Sequence, residues 1–276
     1  TKLGFKLSLN LLKPKTGKIN NIKSNKIYVV DIDYKFNKPF EKISSKSKKY
    51  ITNCFDKAID IINNNKISGL INGPISKKSF LGGKYLGVTE YISSRFGIKE
   101  NYAMLIYNKS LSVSPITTHL PIKKVSKYIK TKNIIQKSIL ISNFFKKKFS
   151  KKPRIAITGL NPHCENFLET SEEERIIKPA IRILKKKKLS ITGPFPADTI
   201  FLKQNYEKFD VIIGMYHDQV LAPLKALKSF DAINITLGLP FLRISPDHGP
   251  NHHMIGKNKS DSQSLIEAIK FLDISK

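Results

Sequence analysis

The sequence predicts an α/β fold with largely parallel strands, on three observations. Strand-like apolar runs alternate with helix-length amphipathic segments over most of the chain. At 276 residues the chain can bury a substantial core, as one large α/β domain or as two lobes sharing a sheet system. Three of the runs lead into turns that carry a histidine, His119, His163 and His217, and the carboxyl ends of strands line the ligand crevice of open α/β sheets.

Taken in order, residues 27–32 read as a strand and 46–63 as an amphipathic helix. A strand over 67–72 is broken by Gly73-Pro74, and 89–95 is a helical turn or two. Runs 103–107 and 111–116 form a hairpin across Asn108-Lys109, followed by helices over 122–129 and 134–148. The second half repeats the theme with a strand at 154–158, a helix at 172–187 and a short strand at 189–191 that ends at Gly193-Pro194. Segments 197–202 and 206–209 lead into a strand at 211–215 and a helix at 219–227. A strand at 232–236 ends at Gly238, and a helix over 261–272 closes the chain. No internal repeat or low-complexity linker interrupts this order, so residues 1–276 are read as a single module with a continuous core.

Composition narrows the function. The 49 Lys and Arg against 21 Asp and Glu give a formal net charge of +28, which alone points to nucleic acid or an anionic membrane surface. The lysines are spread over nearly every segment, their densest blocks fall at the ends of helical patterns where cations suit the dipole, and no nucleic-acid motif accompanies them. A nucleic-acid partner is therefore not expected, though an anionic small substrate benefits from the field. No apolar run reaches 18 residues, so no membrane partner is expected either. Cys54 and Cys164 form no CxxC pair or disulfide framework. A cytoplasmic location is the expectation.

The chemistry starts from the histidines. A single histidine at a strand end is ordinarily a hydrogen-bonded structural residue, but three such ends can converge on one divalent metal. The carboxylates nearby are Asp198, after the Gly193-Pro194 strand end, and Asp218, next to His217. Either can orient a ligand or hold a water, and Asp198 reads equally well as a helix N-cap. A second group, Lys225, Asn234 and Arg243, suits an anionic substrate. Gly73-Pro74-Ile75-Ser76-Lys77 is a strand-end turn of the kind that presents N–H groups to anions. No GxGxxG or Walker sequence occurs, so a dinucleotide needs another device, and the loop starting Asp247-His248-Gly249 is the candidate.

In number and order these segments resemble the 4-hydroxythreonine-4-phosphate dehydrogenase family of pyridoxal 5′-phosphate synthesis. The similar stretches are Gly73 to Lys77, Gly87 with Thr89-Glu90, Thr117 to Pro121, Gly159 to His163, Gly193 to Thr199, Tyr216 to Gln219, and Asn234 to Arg243 with Asp247 to Gly249. The resemblance implies a two-lobed α/β/α fold like that of isocitrate and isopropylmalate dehydrogenases, and a homodimer with the active site at the interface. It implies that His119, His163 and His217 bind one divalent metal (Zn, Mg, Co or Mn), and that Thr89, Lys225, Asn234 and Arg243 bind a phosphorylated substrate. Asp247, His248 and Gly249 are assigned to the cofactor, NAD or NADP, and the proton acceptor is Lys225 or a water held by Asp198 or Asp218. The implied reaction oxidises the C3 hydroxyl and then releases carbon dioxide.

The chain also departs from that pattern. Val88 stands where the family usually has a substrate-contacting histidine, Cys164-Glu165-Asn166 replaces Ala-Gly-Glu, and Pro250-Asn251 follows Asp-His-Gly in place of Thr-Ala. The family's Gly/Pro-rich opening motif does not precede Leu3, so the chain is expected to lack the family's N-terminal portion or to be a shortened relative. Val88 makes another phosphorylated hydroxy acid the alternative substrate; a catalytically silent metal- or anion-binding relative is the alternative from another class.

Overall fold

A computed structural model describes residues 8–13, 17–20, 22–23, 26–37, 41–164, 169–229 and 231–273. The strands are β1 (Leu9–Leu12), β2 (Ile27–Val30), β3 (Leu70–Ile71), β4 (Ala103–Tyr107), β5 (Ser112–Thr117), β6 (Ile155–Thr158), β7 (Ile191–Phe195), β8 (Val211–Tyr216), β9 (Ile233–Leu237) and β10 (Arg243–Pro246). The helices are α1 (Lys48–Asn64), α2 (Lys77–Leu81), α3 (Val88–Arg95), α4 (Val125–Tyr128), α5 (Thr131–Phe149), α6 (Lys178–Lys186), α7 (Ala197–Ile200), α8 (Lys203–Tyr206), α9 (His217–Lys228) and α10 (Gln263–Asp273).

Eight strands form one sheet in the order β3-β10-β9-β4-β5-β8-β6-β7, while β1 and β2 pair in parallel as a separate ribbon. Side chains alternate across the large sheet with period two. Val211, Ile213 and Met215 of β8 join Ala103, Leu105, Ile155 and Ile157 on the face covered by α5, α6 and α10. Ile212, Met104, Ile106 and Ala156 point the other way, against Val220, Leu221 and Leu224 of α9. The result is the three-layer α/β/α arrangement. A third cluster, with Phe55, Phe80, Tyr91 and Ile92, packs α1, α2 and α3 together.

The expectation of largely parallel strands holds for four of the large sheet's seven strand pairs, including the edge pair β3–β10. Strands β5, β8, β6 and β7 are parallel, but β4 pairs antiparallel with β5 and β9, and β9 antiparallel with β10. Short connections are the reason for β4–β5 and β9–β10, since only an antiparallel pair can be joined by a tight turn. In the β4–β5 hairpin Asn108 Oδ1 accepts from the Ser110 N–H and Oγ at 3.0 and 2.8 Å. Between β9 and β10, Gly238 turns at φ +94°, where any Cβ would run into the Asn101 carbonyl.

Four local expectations are corrected. β10 was not anticipated, because Arg243 and Pro246 interrupt its apolar pattern. The strand expected over 67–72 shortens to two edge residues between Gly69 and Gly73. β7 continues through Gly193-Pro194 to Phe195, with that peptide bond cis. Asp198 is not an N-cap: Pro196 precedes α7 and Asp198 lies in its first turn. Leu3, Glu165 and Asn166 lie outside the described residues.

Candidate active site

The three histidines leave the carboxyl ends of β5, β8 and β6, which are adjacent and parallel in the sheet. His217 is the first residue of α9, so the β8–α9 junction places it directly. Gln219 locks that junction. Its Oε1 accepts from Met215 N at 2.7 Å and Thr158 Oγ1 at 2.9 Å, and its Nε2 donates to the Gly159 carbonyl at 2.8 Å. Gly214 lies under Val220, which leaves no space for a Cβ as α9 folds back.

A cleft of about 510 Å³ at these strand ends is lined by Thr89, His119, His217, Lys225, Asn234, Arg243, Asp247, His248 and Gly249, with Val88 and Lys77 in its wall. The substrate and cofactor residues read from the sequence therefore meet in one place. His119 and His217 approach with ring centroids 5.8 Å apart. His163 does not join them: it sits in a left-handed turn at φ +56°, largely exposed, with Nδ1 3.9 Å from Asp198 Oδ2. Among the described residues no group of three His, Cys, Asp or Glu side chains is gathered to hold a metal. Within one chain the sheet converges two imidazoles, not three.

The donor set of that pair fits a metal such as zinc or cobalt as two of its ligands. His217 Nδ1 lies 2.6 Å from Asp218 Oδ1, the carboxylate contact that fixes a ligating imidazole. His119 Nδ1 is buried and has no hydrogen-bond partner among the described residues. Asp218 itself is 79% exposed, outside the cleft wall.

The anion-binding side is built on Arg243, which is 2% exposed. Its Nε donates to Asn72 Oδ1 at 2.7 Å and its Nη1 to Thr236 Oγ1 at 3.0 Å. Burial lowers its pKa to about 10, with Glu90 opposing the shift, so it stays cationic at neutral pH. Lys225 Nζ donates to Asp247 Oδ2 at 2.7 Å. Burial raises the Asp247 carboxyl above its ordinary range, against the pull of Lys225. Burial lowers Lys77, whose Nζ is 2.9 Å from His119 Nε2.

Several residues that shape the site were not assigned from sequence. Glu90 accepts from Thr118 Oγ1 at 2.9 Å. Burial alone would raise its carboxyl, but contact with His119 and the hydrogen bonds leave it lowered. Glu173 is fully buried and accepts from Leu160 N, Asn161 N and Asn161 Nδ2 at 2.7, 2.9 and 2.8 Å, which shapes the turn before His163. Nothing in the run Glu172-Glu173-Glu174 marks the middle one as the buried member.

These features define a class: a three-layer α/β protein with a cationic, histidine-bearing cleft at the carboxyl ends of its central strands. Comparison with known proteins sharpens it. The family model described as pyridoxal phosphate biosynthetic protein PdxA matches residues 3–272, and the chain belongs to that family. A 4-hydroxythreonine-4-phosphate dehydrogenase of Sulfurihydrogenibium sp. (strain YO3AOP1) is 41% identical over 271 residues, 96% of this chain and 81% of the relative. A D-threonate 4-phosphate dehydrogenase of Salmonella typhimurium is 33% identical, covering 83% of this chain and 71% of its own. The crystal structure of 4-hydroxythreonine-4-phosphate dehydrogenase from Klebsiella pneumoniae superimposes with a TM-score of 0.79 at 28% identity, covering 98% of this chain and 84% of that one.

Proposed function

We propose that the chain is a metal-dependent NAD(P) dehydrogenase that converts 4-phosphohydroxy-L-threonine to 3-amino-2-oxopropyl phosphate in cytoplasmic pyridoxal 5′-phosphate biosynthesis, with residues 1–276 acting as one catalytic module. The observation that carries this reading is the cleft of a family member in which His119 and His217 face Lys225, Asn234, Arg243 and Thr89.

Arg243, fixed by Asn72 and Thr236, presents its charge to the substrate phosphate or carboxylate with Asn234 and Thr89 beside it, orienting the C3 carbon. Lys225, hydrogen-bonded to Asp247, is the group placed to exchange the hydroxyl proton as hydride leaves C3. Asp198 and Asp218 are less suited to that task, since both are largely exposed and stand beside His163 and His217. The resulting β-keto acid loses carbon dioxide, and the enolate is protonated to the ketone. When bound, the divalent metal supplies Lewis acidity to the developing ketone and enolate, and NAD or NADP, beside Asp247, His248 and Gly249, accepts the hydride. His163 completes the ligand set from a second copy, in a homodimer with its active site at the interface.

Val88 in the cleft wall supports a second reading. It offers no hydrogen-bond donor, which favours another phosphorylated hydroxy acid such as D-threonate 4-phosphate.

The test is NADH formation from each substrate with NAD+ and added divalent metals, wild type against His163→Ala. Metal-dependent turnover that is lost in the variant is the expected result. A folded, metal-loaded wild type with no turnover of either substrate overturns both readings in favour of a silent metal-binding relative.

A further inference from the structure

We infer that Glu90 is the positioning residue that sets the ring orientation and tautomer of His119, directing its Nε2 lone pair into the cleft; this rests on the metal-dependent reading of the site. Helix α3 begins after Gly87, which puts Glu90 in its first turn. From there the carboxylate turns toward the segment after β5, where Thr118 Oγ1 donates to its Oε1 at 2.9 Å. The neighbouring His119 Nδ1 faces the same oxygen at 3.6 Å, with side-chain exposures of 18% for the histidine and 12% for the glutamate. Neither Nδ1 nor Glu90 Oε2 has a hydrogen-bond partner among the described residues, and both lie against the backbone of Gly87.

Gly87 is a second, independent observation. Its backbone is extended, at φ −158° and ψ 175°, a conformation open to any residue, so the reason for glycine is space. A Cβ there would stand 2.5 Å from Glu90 Oε2 and 2.8 Å from His119 Nδ1. A side chain at 87 would wedge apart the two groups that the missing one lets meet. The same crowding walls off the Nδ1 edge and leaves Nε2 as the nitrogen on the cleft side, next to Lys77.

A separation of 3.6 Å is beyond a hydrogen bond, but it is close enough for the carboxylate to favour a proton on Nδ1 over one on Nε2. A ligating histidine needs this: its other nitrogen is held by a carboxylate or carbonyl that fixes the tautomer and raises ligand basicity. His217 has Asp218 in that place, at 2.6 Å. Glu90 gives His119 the same support from inside the fold.

The experiment is carried out on the full chain with three variants, Glu90→Ala, Glu90→Gln and, to assign the resonance, His119→Gln. Ring 15N shifts of His119 are expected to report the Nδ1–H form in wild type and a larger Nε2–H fraction in Glu90→Ala, a shift that Lys77, donating to Nε2, keeps partial. Zinc affinity, read by chelator competition, is expected to fall about 10- to 100-fold in Glu90→Ala and less in Glu90→Gln, whose amide oxygen can still accept from Nδ1–H. At saturating zinc the substrate KM is expected to stay near wild type while the metal requirement rises. An unchanged tautomer with zinc affinity within about twofold of wild type, in a Glu90→Ala protein of normal Tm, overturns the proposal. A wild type that shows the Nδ1–H tautomer yet binds no zinc removes the metal reading, and the orienting role then stands or falls on the tautomer shift alone.

Discussion

Lys225 places its Nζ 2.7 Å from Oδ2 and 2.8 Å from the carbonyl oxygen of Asp247, tying α9 to the loop after β10. Asp247 is held in turn by Ser264, whose Oγ accepts from the Asp247 N–H at 3.0 Å and donates to the Ala232 carbonyl at 2.7 Å. The cleft's lysine is therefore fixed through a carboxylate that burial has already made easier to protonate.

Lys225→Met should lower kcat/KM by about 10²- to 10⁴-fold, the usual range for losing a proton-transfer group. Steady-state kinetics at saturating metal provide the check. A loss confined to KM would make Lys225 a binding residue only.

The separation of His163 from the His119–His217 pair leads to a subunit-mixing prediction. His119→Ala and His163→Ala should each be inactive alone. Equal mixtures, dissociated and reassembled, should recover about a quarter of wild-type activity, because half of the random dimers are mixed and one site in each is intact. No recovery in confirmed mixed dimers would place all three imidazoles in one chain.

Glu173 gives a stability prediction with a defined pH dependence. Burial pushes its carboxyl up, but hydrogen bonds from the backbone and side chain of Asn161 and from Leu160 outweigh that and leave it below the usual range. A depressed carboxylate stabilises the fold above its unfolded value of about 4.3, and the contribution is lost as pH falls through the lower folded value. Glu173→Gln should cost about 1–3 kcal/mol at pH near 7, with the gap to wild type closing below pH of about 4. Urea denaturation at neutral and acidic pH measures it.

Val88→His restores a donor to the cleft wall. Turnover of 4-phosphohydroxythreonine should improve by about two- to tenfold, the worth of one hydrogen bond, relative to D-threonate 4-phosphate. If the ratio of kcat/KM for the two substrates does not move, position 88 does not set the preference.

The outlines of this site were legible in the sequence wherever the signal was local. A histidine just past an apolar run needs only its neighbours to be read, and His119 and His217 meet where their strand ends predicted. Arg243 stood out as a charge in an apolar stretch, and the structure explains it by partners far along the chain: Asn72 is 171 positions away and Thr236 lies opposite it across the β9–β10 ladder. The same charge that marked Arg243 hid β10, since a strand carrying Arg and Pro has no apolar period until hydrogen bonds neutralise its cost.

The sequence by itself determined the alternation of strands and helices, the family motifs and the chemical types the cleft holds, because these depend on periodicity and short spacing. Tertiary structure alone decided which carboxylates matter. Glu173 carries no local mark and Glu90 stands in the Gly87, Thr89-Glu90 stretch without a role; both are set apart by burial, against the Asn161 turn and His119. It also decided that one chain brings two imidazoles together and leaves His163 beside Asp198. Strand order and loop conformation control those distances, and both come from packing between segments remote in sequence.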